Sequence, residues 1–157
     1  MLLQAQSQTM TSQGEVARAG IRDLIQAGDF MERVFWLLSG INGFLAVALG
    51  AFGAHGLRSR LLAEPDGVRR LEVWETAAHY HLMHALALGL AAYLCTRSTQ
   101  ASASFTGYLF QAGIVLFSGS LYVLAITGIS KIGIVTPFGG LCFLAGWCAL
   151  VWTAYKM

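Results

Sequence analysis

"VFWLLSGINGFLAVALGAFGA", residues 34–54, contains no Asp, Glu, Lys or Arg and lies between Arg33 and the polar stretch that starts at His55. A hydrocarbon core about 30 Å thick is crossed by roughly 20 apolar residues of helix. The stretch therefore reads as a membrane span. Three more charge-free windows follow: Ala77–Cys95, Ser98–Ser130 and Ile132–Tyr155. A soluble core can hide one such helix, but not four in 157 residues. Composition agrees, with 56% hydrophobic residues, 11% charged residues and a mean hydropathy of +0.61, far from the average soluble domain. The expected fold is all-α. It is an integral membrane protein with four transmembrane helices, about 34–54, 76–95, 105–127 and 137–155, in an antiparallel bundle.

Within the first span, Trp36 sits near one end, where amphipathic aromatics favour the membrane interface. Ser39 and Gly43 are four apart, and Ala46, Gly50 and Ala54 repeat at the same spacing. Small residues so placed let membrane helices approach closely, where van der Waals contact drives association. Gly43, Ala46, Gly50 and Gly53 are expected to pack against a neighbour, as are Gly139 and Gly140 in the last span. Asn42 is the single amide of the first span and is expected to bond across to another helix.

Residues 55–75, "HGLRSRLLAEPDGVRRLEVWE", hold eight of the eighteen charged residues. "EPDG" is a turn signal, and Val68–Glu75 is expected to extend the second helix beyond the bilayer. "TRSTQASAS" links the second and third spans, and "GISKIGIVTP" leads to a fourth opened by Pro137, a residue suited to a first helical turn. Residues 1–33 form an N-terminal extension. Its Gln/Ser/Thr-rich start is expected to be disordered. From Val16 to Arg33, apolar and basic residues separate onto two sides, the pattern of an interfacial helix. Met31 is an alternative start of the native chain.

The charge balance of +2, with no basic run, gives no basis for a nucleic-acid partner. Cys95, Cys142 and Cys148 are odd in number and lack CxxC spacing, so neither a disulfide framework nor a zinc ribbon is indicated. Basic residues divide five against five between the two ends of a four-span chain, so the positive-inside rule does not orient it.

Chemistry concentrates in "AAHYHLMHALALG", residues 77–89. At 100° per residue His79 and His81 point about 200° apart, so one ion cannot take both from a regular helix. His81 and His84 share a face. His84 is the deepest, and intramembrane ionisable residues are functional suspects. Two readings stand open. One is a neutral His84 bonded to a neighbouring helix through Asn42, Gln111 or a freed carbonyl. The other is a small-solute, proton, metal or haem site in which His84 is joined by His55. There is no GxSxG, HExxH or phosphate loop, and no pair of intramembrane carboxylates. Catalysis is not expected, and no particular cofactor is implied.

Four blocks, "GAFGAHGL" (50–57), "YHLMHALAL" (80–88), "LFSGSLYVLA" (116–125) and "TPFGGLCFLAGW" (136–147), fall in order, one per expected helix. Together they resemble the YgdD-like family of small multipass membrane proteins, domain-of-unknown-function family 423. The resemblance covers about residues 34–155. It implies a bacterial inner membrane, or an organelle membrane in a eukaryote, with both termini on the cytoplasmic side. It brings no established activity. It matches His55 and His84 to the histidines of the family's blocks, with Tyr80 as the accompanying aromatic, and sets His79 and His81 aside as interfacial or helix-contact residues. Family members begin near the equivalent of Met31, so the extension is a departure. The function expected is that of an accessory, assembly or interaction component of a membrane complex. Its partners would be the bilayer and other membrane proteins or further copies of the chain.

Overall fold

The computed structural model describes the backbone of residues 2–97 and 101–157, and the side chains of residues 20, 26, 29–97 and 101–157. The backbone of the start, expected to be disordered, is helical from Leu2, while most side chains of the expected interfacial face and part of the linker, residues 98–100, lie outside the described residues.

Among the described residues the chain is all helix, with no strand. Helix α1, Leu2–Phe52, passes through a single π turn at Gly53–Leu57 into the short α2, Arg58–Leu61. A tight reversal at "EPDG" follows, in which the Glu64 amide donates to the Leu61 carbonyl and the Gly67 amide to Glu64. The turn presses Gly67 so close to the Leu61 backbone that a side chain at 67 would collide with its carbonyl. Helix α3, Gly67–Arg97, then runs back antiparallel to α1. At 1.5 Å per residue its 31 residues span about 46 Å, longer than a bilayer core. Its first turns, with Arg69, Arg70, Glu72 and Glu75, continue the helix ahead of the charge-free stretch.

Helix α4, Ala101–Gly113, continues through a second π turn at Ile114–Ser118 into α5, Gly119–Thr127. Gly128 ends α5 in the left-handed region (φ 72°), and its amide caps the Leu124 carbonyl at 2.8 Å. Helix α6, Thr136–Tyr155, begins with Pro137 in its first turn, as expected.

The four rods form a membrane bundle in which α3 is the hub, packed against α1, α4, α5 and α6. Three helical stretches, Asp29–Leu61, Ala101–Thr127 and Ser130–Tyr155, are long and apolar enough to cross a membrane by length and composition. The fourth expected span, 76–95, lies on α3, where three histidines depress its hydropathy. Its place in the bundle explains how it tolerates them. The inward row Trp74, Ala77, His81, His84, Ala85, Leu88, Ala91, Ala92 and Cys95 is buried by its neighbours.

Close approach depends on aromatic rings seated on glycines. A Cβ at Gly53 would strike the Trp74 indole, at Gly107 the Phe35 ring, at Gly113 the Phe143 ring, and at Gly146 the Phe110 ring 2.7 Å away. Gly139 meets the Phe117 backbone itself. Such contacts gather dispersion energy where lipid supplies no hydrophobic drive between helices.

Candidate polar site within the bundle

The register of α1 on α3 brings the polar side chains together. Trp74 donates its indole N–H to the Leu49 carbonyl at 2.9 Å, and the Ser39 hydroxyl donates to Ala85 at 2.8 Å. Between these two ties, Asn42 faces His81.

Asn42 is buried, and its Nδ2 donates to the Leu38 carbonyl at 2.7 Å and to Gln111 Oε1 at 3.0 Å. A carbonyl can only accept, so the orientation of the amide is set and Oδ1 is an acceptor. His81 Nε2, 3.1 Å away, must then be the donor. Its Nδ1 is left as the acceptor for the Tyr122 hydroxyl at 3.4 Å. Gln111, Asn42, His81 and Tyr122 thus form one directional chain of bonds linking α4, α1, α3 and α5. Tyr122 also leans on Trp74, with ring centroids 4.6 Å apart.

His84, one turn further along α3, has a separate set of partners. Its Nδ1 lies 2.8 Å from the Tyr80 carbonyl, so Nδ1 carries the proton. Its Nε2 accepts the Trp147 indole N–H at 3.3 Å. The ring stacks face to face on Phe143, centroids 3.4 Å apart and planes 11° from parallel. Both nitrogens of both buried histidines are therefore engaged in bonds within the protein. A metal or haem iron would have to displace Trp147 to reach the His84 lone pair.

The candidates named from sequence are brought together only in part. Tyr80 and His84 share one wall, whereas Asn42 serves His81 instead of His84. His55 is exposed at the π turn that ends α1. Ser39 marks the level of His84, and the sixteen residues from Ser39 to His55 amount to about 24 Å of helix. The structure does not bring His55 and His84 together. Among the described residues no group of three or more His, Cys, Asp or Glu side chains gathers as a metal site would require. Of the packing residues, Ala46 is buried, Gly53 and Gly139 are in tight contact, and Gly50 and Gly140 touch Ala78 and Phe117 at ordinary distances. No atom lies within 4 Å of where a Gly43 side chain would begin.

Sequence reasoning set His81 aside as an interfacial or helix-contact residue; it is a buried helix contact, with Tyr122 and Trp147 as unexpected companions of the two histidines. The signal was present. His81 lies in step with Ala77, Ala85, Leu88 and Ala92, small and apolar residues at the three-to-four spacing of an inward face. Ser120 bridges to Thr136 at 2.8 Å. The Ser118 hydroxyl, in the second π turn, is buried without a hydrogen-bond partner.

A groove of about 410 Å³ runs between α3 and α6, lined by Tyr80, His84, Phe117, Phe143, Leu144 and Trp147 among others. A neighbouring one of about 610 Å³, bounded by Trp36, Met83, Leu90 and Tyr93, lies between α1 and α3 and also touches Trp147.

A family model described as "Protein of unknown function (DUF423)" matches residues 49–140. The chain is 48% identical over 125 residues to the UPF0382 membrane protein YwdK of Bacillus subtilis, covering 79% of this chain and 98% of that one. It is 44% identical to the UPF0382 membrane protein SSP2132 of Staphylococcus saprophyticus, covering 80% and 99%. It is 40% identical to the UPF0382 membrane protein SAB0533 of Staphylococcus aureus, covering 79% and 97%. No solved structure matches the chain. The match over the blocks that hold the histidines, the π turns and α3, together with near-complete coverage of these relatives, leads to one conclusion: the chain belongs to the DUF423 family of small membrane proteins.

Proposed function

We propose that the protein is a non-enzymatic accessory or assembly component that acts through lateral association with other membrane proteins or with its own copies. The observation that carries this reading is the use of the two buried histidines. His81 and His84 use all four ring nitrogens in hydrogen bonds within the protein, three of them to other helices and one to the Tyr80 carbonyl of their own. Their role is to fix the relative positions of α1, α3, α5 and α6, which presents a defined outer surface to the bilayer. Gly40 and Gly43 leave the outer side of α1 open to close approach. The proposed setting is the cytoplasmic membrane of a bacterium, with both termini on the cytoplasmic side.

The alternative, a shared solute, proton, metal or haem site of His55 and His84, has less support because the two are about 24 Å apart along the bundle. A double His55→Ala/His84→Ala variant that lost bound metal or proton conductance would revive it.

Association is tested by extracting the tagged full chain from native membranes in a mild detergent and in polymer-bounded lipid discs, then measuring mass. The expected species is a discrete complex larger than the protomer, weakened by a Gly40→Leu/Gly43→Leu variant. A uniform single protomer in both extractions would overturn the reading. Orientation is tested by Lys131→Cys and Lys156→Cys in a background without native cysteines, treated with a membrane-impermeant maleimide. Labelling of position 131 alone in intact cells is expected.

A further inference from the structure

We propose that the groove between α3 and α6 is a binding site for a lipid-phase molecule of the quinone class, a flat ring bearing carbonyl oxygens on an apolar tail. This concerns binding alone, involves no electron transfer, and does not rest on the association proposed above.

Place and size come first. The groove's volume of about 410 Å³ is in the range of small-molecule sites. It extends from Pro137, in the first turn of α6, to Trp147. Those ten residues amount to about 15 Å along the helix. Tyr80, Leu141, Leu144 and Trp147 on its rim are exposed on the outer surface, so a ligand enters sideways from the lipid.

The polar groups then narrow the chemistry. No charged side chain lines the groove, so neither an anion nor a cation finds a counter-charge there. The His84 nitrogens and the Trp147 N–H are bonded to the protein. Among the described residues the Tyr80 hydroxyl has no hydrogen-bond partner, and it can donate. A single phenolic donor on an otherwise apolar wall fits a carbonyl acceptor.

Ring geometry favours a flat ligand over an acyl chain. Tyr80, His84 and Phe143 are nearly parallel, with interplanar angles of 10° for Tyr80 and His84, 11° for His84 and Phe143, and 21° for Tyr80 and Phe143. Phe117 stands 4.7 Å from Tyr80. His84 and Phe143 are buried against one another, so the ring open to the ligand is Tyr80, which offers a flat ring offset-stacked contact that a flexible chain cannot match.

The test uses the full chain in phosphatidylcholine nanodiscs with a diazirine-bearing short-chain ubiquinone analogue, and maps the labelled peptides by mass spectrometry. Saturable labelling is expected on the segments around Tyr80 and between Pro137 and Trp147. Excess decylubiquinone should displace it and oleic acid should not. Tyr80→Phe keeps the ring and should raise the half-saturating concentration about three- to tenfold, the loss of one hydrogen bond. Gly140→Leu should fill the groove and remove the labelling. Unsaturable labelling over all outward-facing helices would mean lipid-like annular contact and overturn the proposal. Equal displacement by oleic acid would do so as well, as would an unchanged half-saturation in a normally folded Tyr80→Phe protein.

Discussion

His81 Nε2 lies 3.1 Å from Asn42 Oδ1, and the Leu38 carbonyl that orients the Asn42 amide also decides which nitrogen of the imidazole carries its proton. One backbone carbonyl on α1 thereby sets the hydrogen-bonding state of a ring on α3 and, through it, of the Tyr122 hydroxyl on α5. His84, three residues on, is bonded with the opposite polarity, because the Tyr80 carbonyl takes its Nδ1 proton.

The two buried rings should therefore be opposite tautomers, Nε2–H at His81 and Nδ1–H at His84. Nitrogen-15 spectra of histidine-labelled protein in lipid should show one of each. Trp147→Phe should change the His84 Nε2 resonance and leave His81 unaltered. Two rings in the same tautomer would contradict the assigned network.

Removal of either end of the Asn42–His81 bond should destabilise the bundle, and the two losses should not add. Hydrogen bonds between membrane helices are worth about 0.6 kcal/mol on average and up to about 1.7. A double-mutant cycle of Asn42→Ala and His81→Ala, read by denaturant titration in mixed micelles, should give a coupling energy of about 0.5–2 kcal/mol. Strict additivity would mean that the contact contributes nothing.

Neighbouring glycines should respond in opposite ways to alanine. A Cβ at Gly139 falls 2.7 Å from the Phe117 Cα, against backbone that cannot step aside, whereas one at Gly140 meets only the Phe117 ring at 3.8 Å. Gly139→Ala should cost about 1–3 kcal/mol through overpacking, and Gly140→Ala should be close to neutral. Melting temperatures of the two purified variants make the comparison.

Arg70 joins the first turns of α3 to the end of α5. Its Nε donates to the Ala125 carbonyl at 2.8 Å and its Nη2 to that of Ile126. These are last-turn carbonyls without partners inside their own helix, and a cation there also suits the helix dipole. Arg70→Ala should cost about 1.5–3 kcal/mol, the range for bonds to a charged group. Arg70→Lys should recover part of it, since one ammonium cannot reproduce the guanidinium fork. Faster amide exchange confined to the last turn of α5 would locate the effect.

The number and order of the four helices were legible because charge-free windows leave few alternatives in a chain this short. The reversal at "EPDG" and the proline-led start of α6 were legible through local turn chemistry. Much of the packing was not. Sequence spacing picked out Gly43, where an added side chain would meet nothing within 4 Å, and passed over Gly107, Gly113 and Gly146, whose partners Phe35, Phe143 and Phe110 come from other helices. Small-residue spacing says that close approach is allowed and says nothing of which ring arrives. The polar interior followed the same rule. Asn42 was expected to bond across to another helix; that its partners are Gln111 and His81 depended on the register of α1 against its neighbours, which no local pattern contains.

The central place of α3 bears on how the protein is made. Its histidines make it the least apolar of the four rods, and a lone helix of this kind gains little by leaving the translocation channel for lipid. Asn42, which relieves His81, is synthesised before α3, whereas Tyr122 and Trp147 are synthesised after it. Full integration of α3 is therefore expected to wait until the C-terminal hairpin has emerged, with α3 held beside α1 until its later partners arrive.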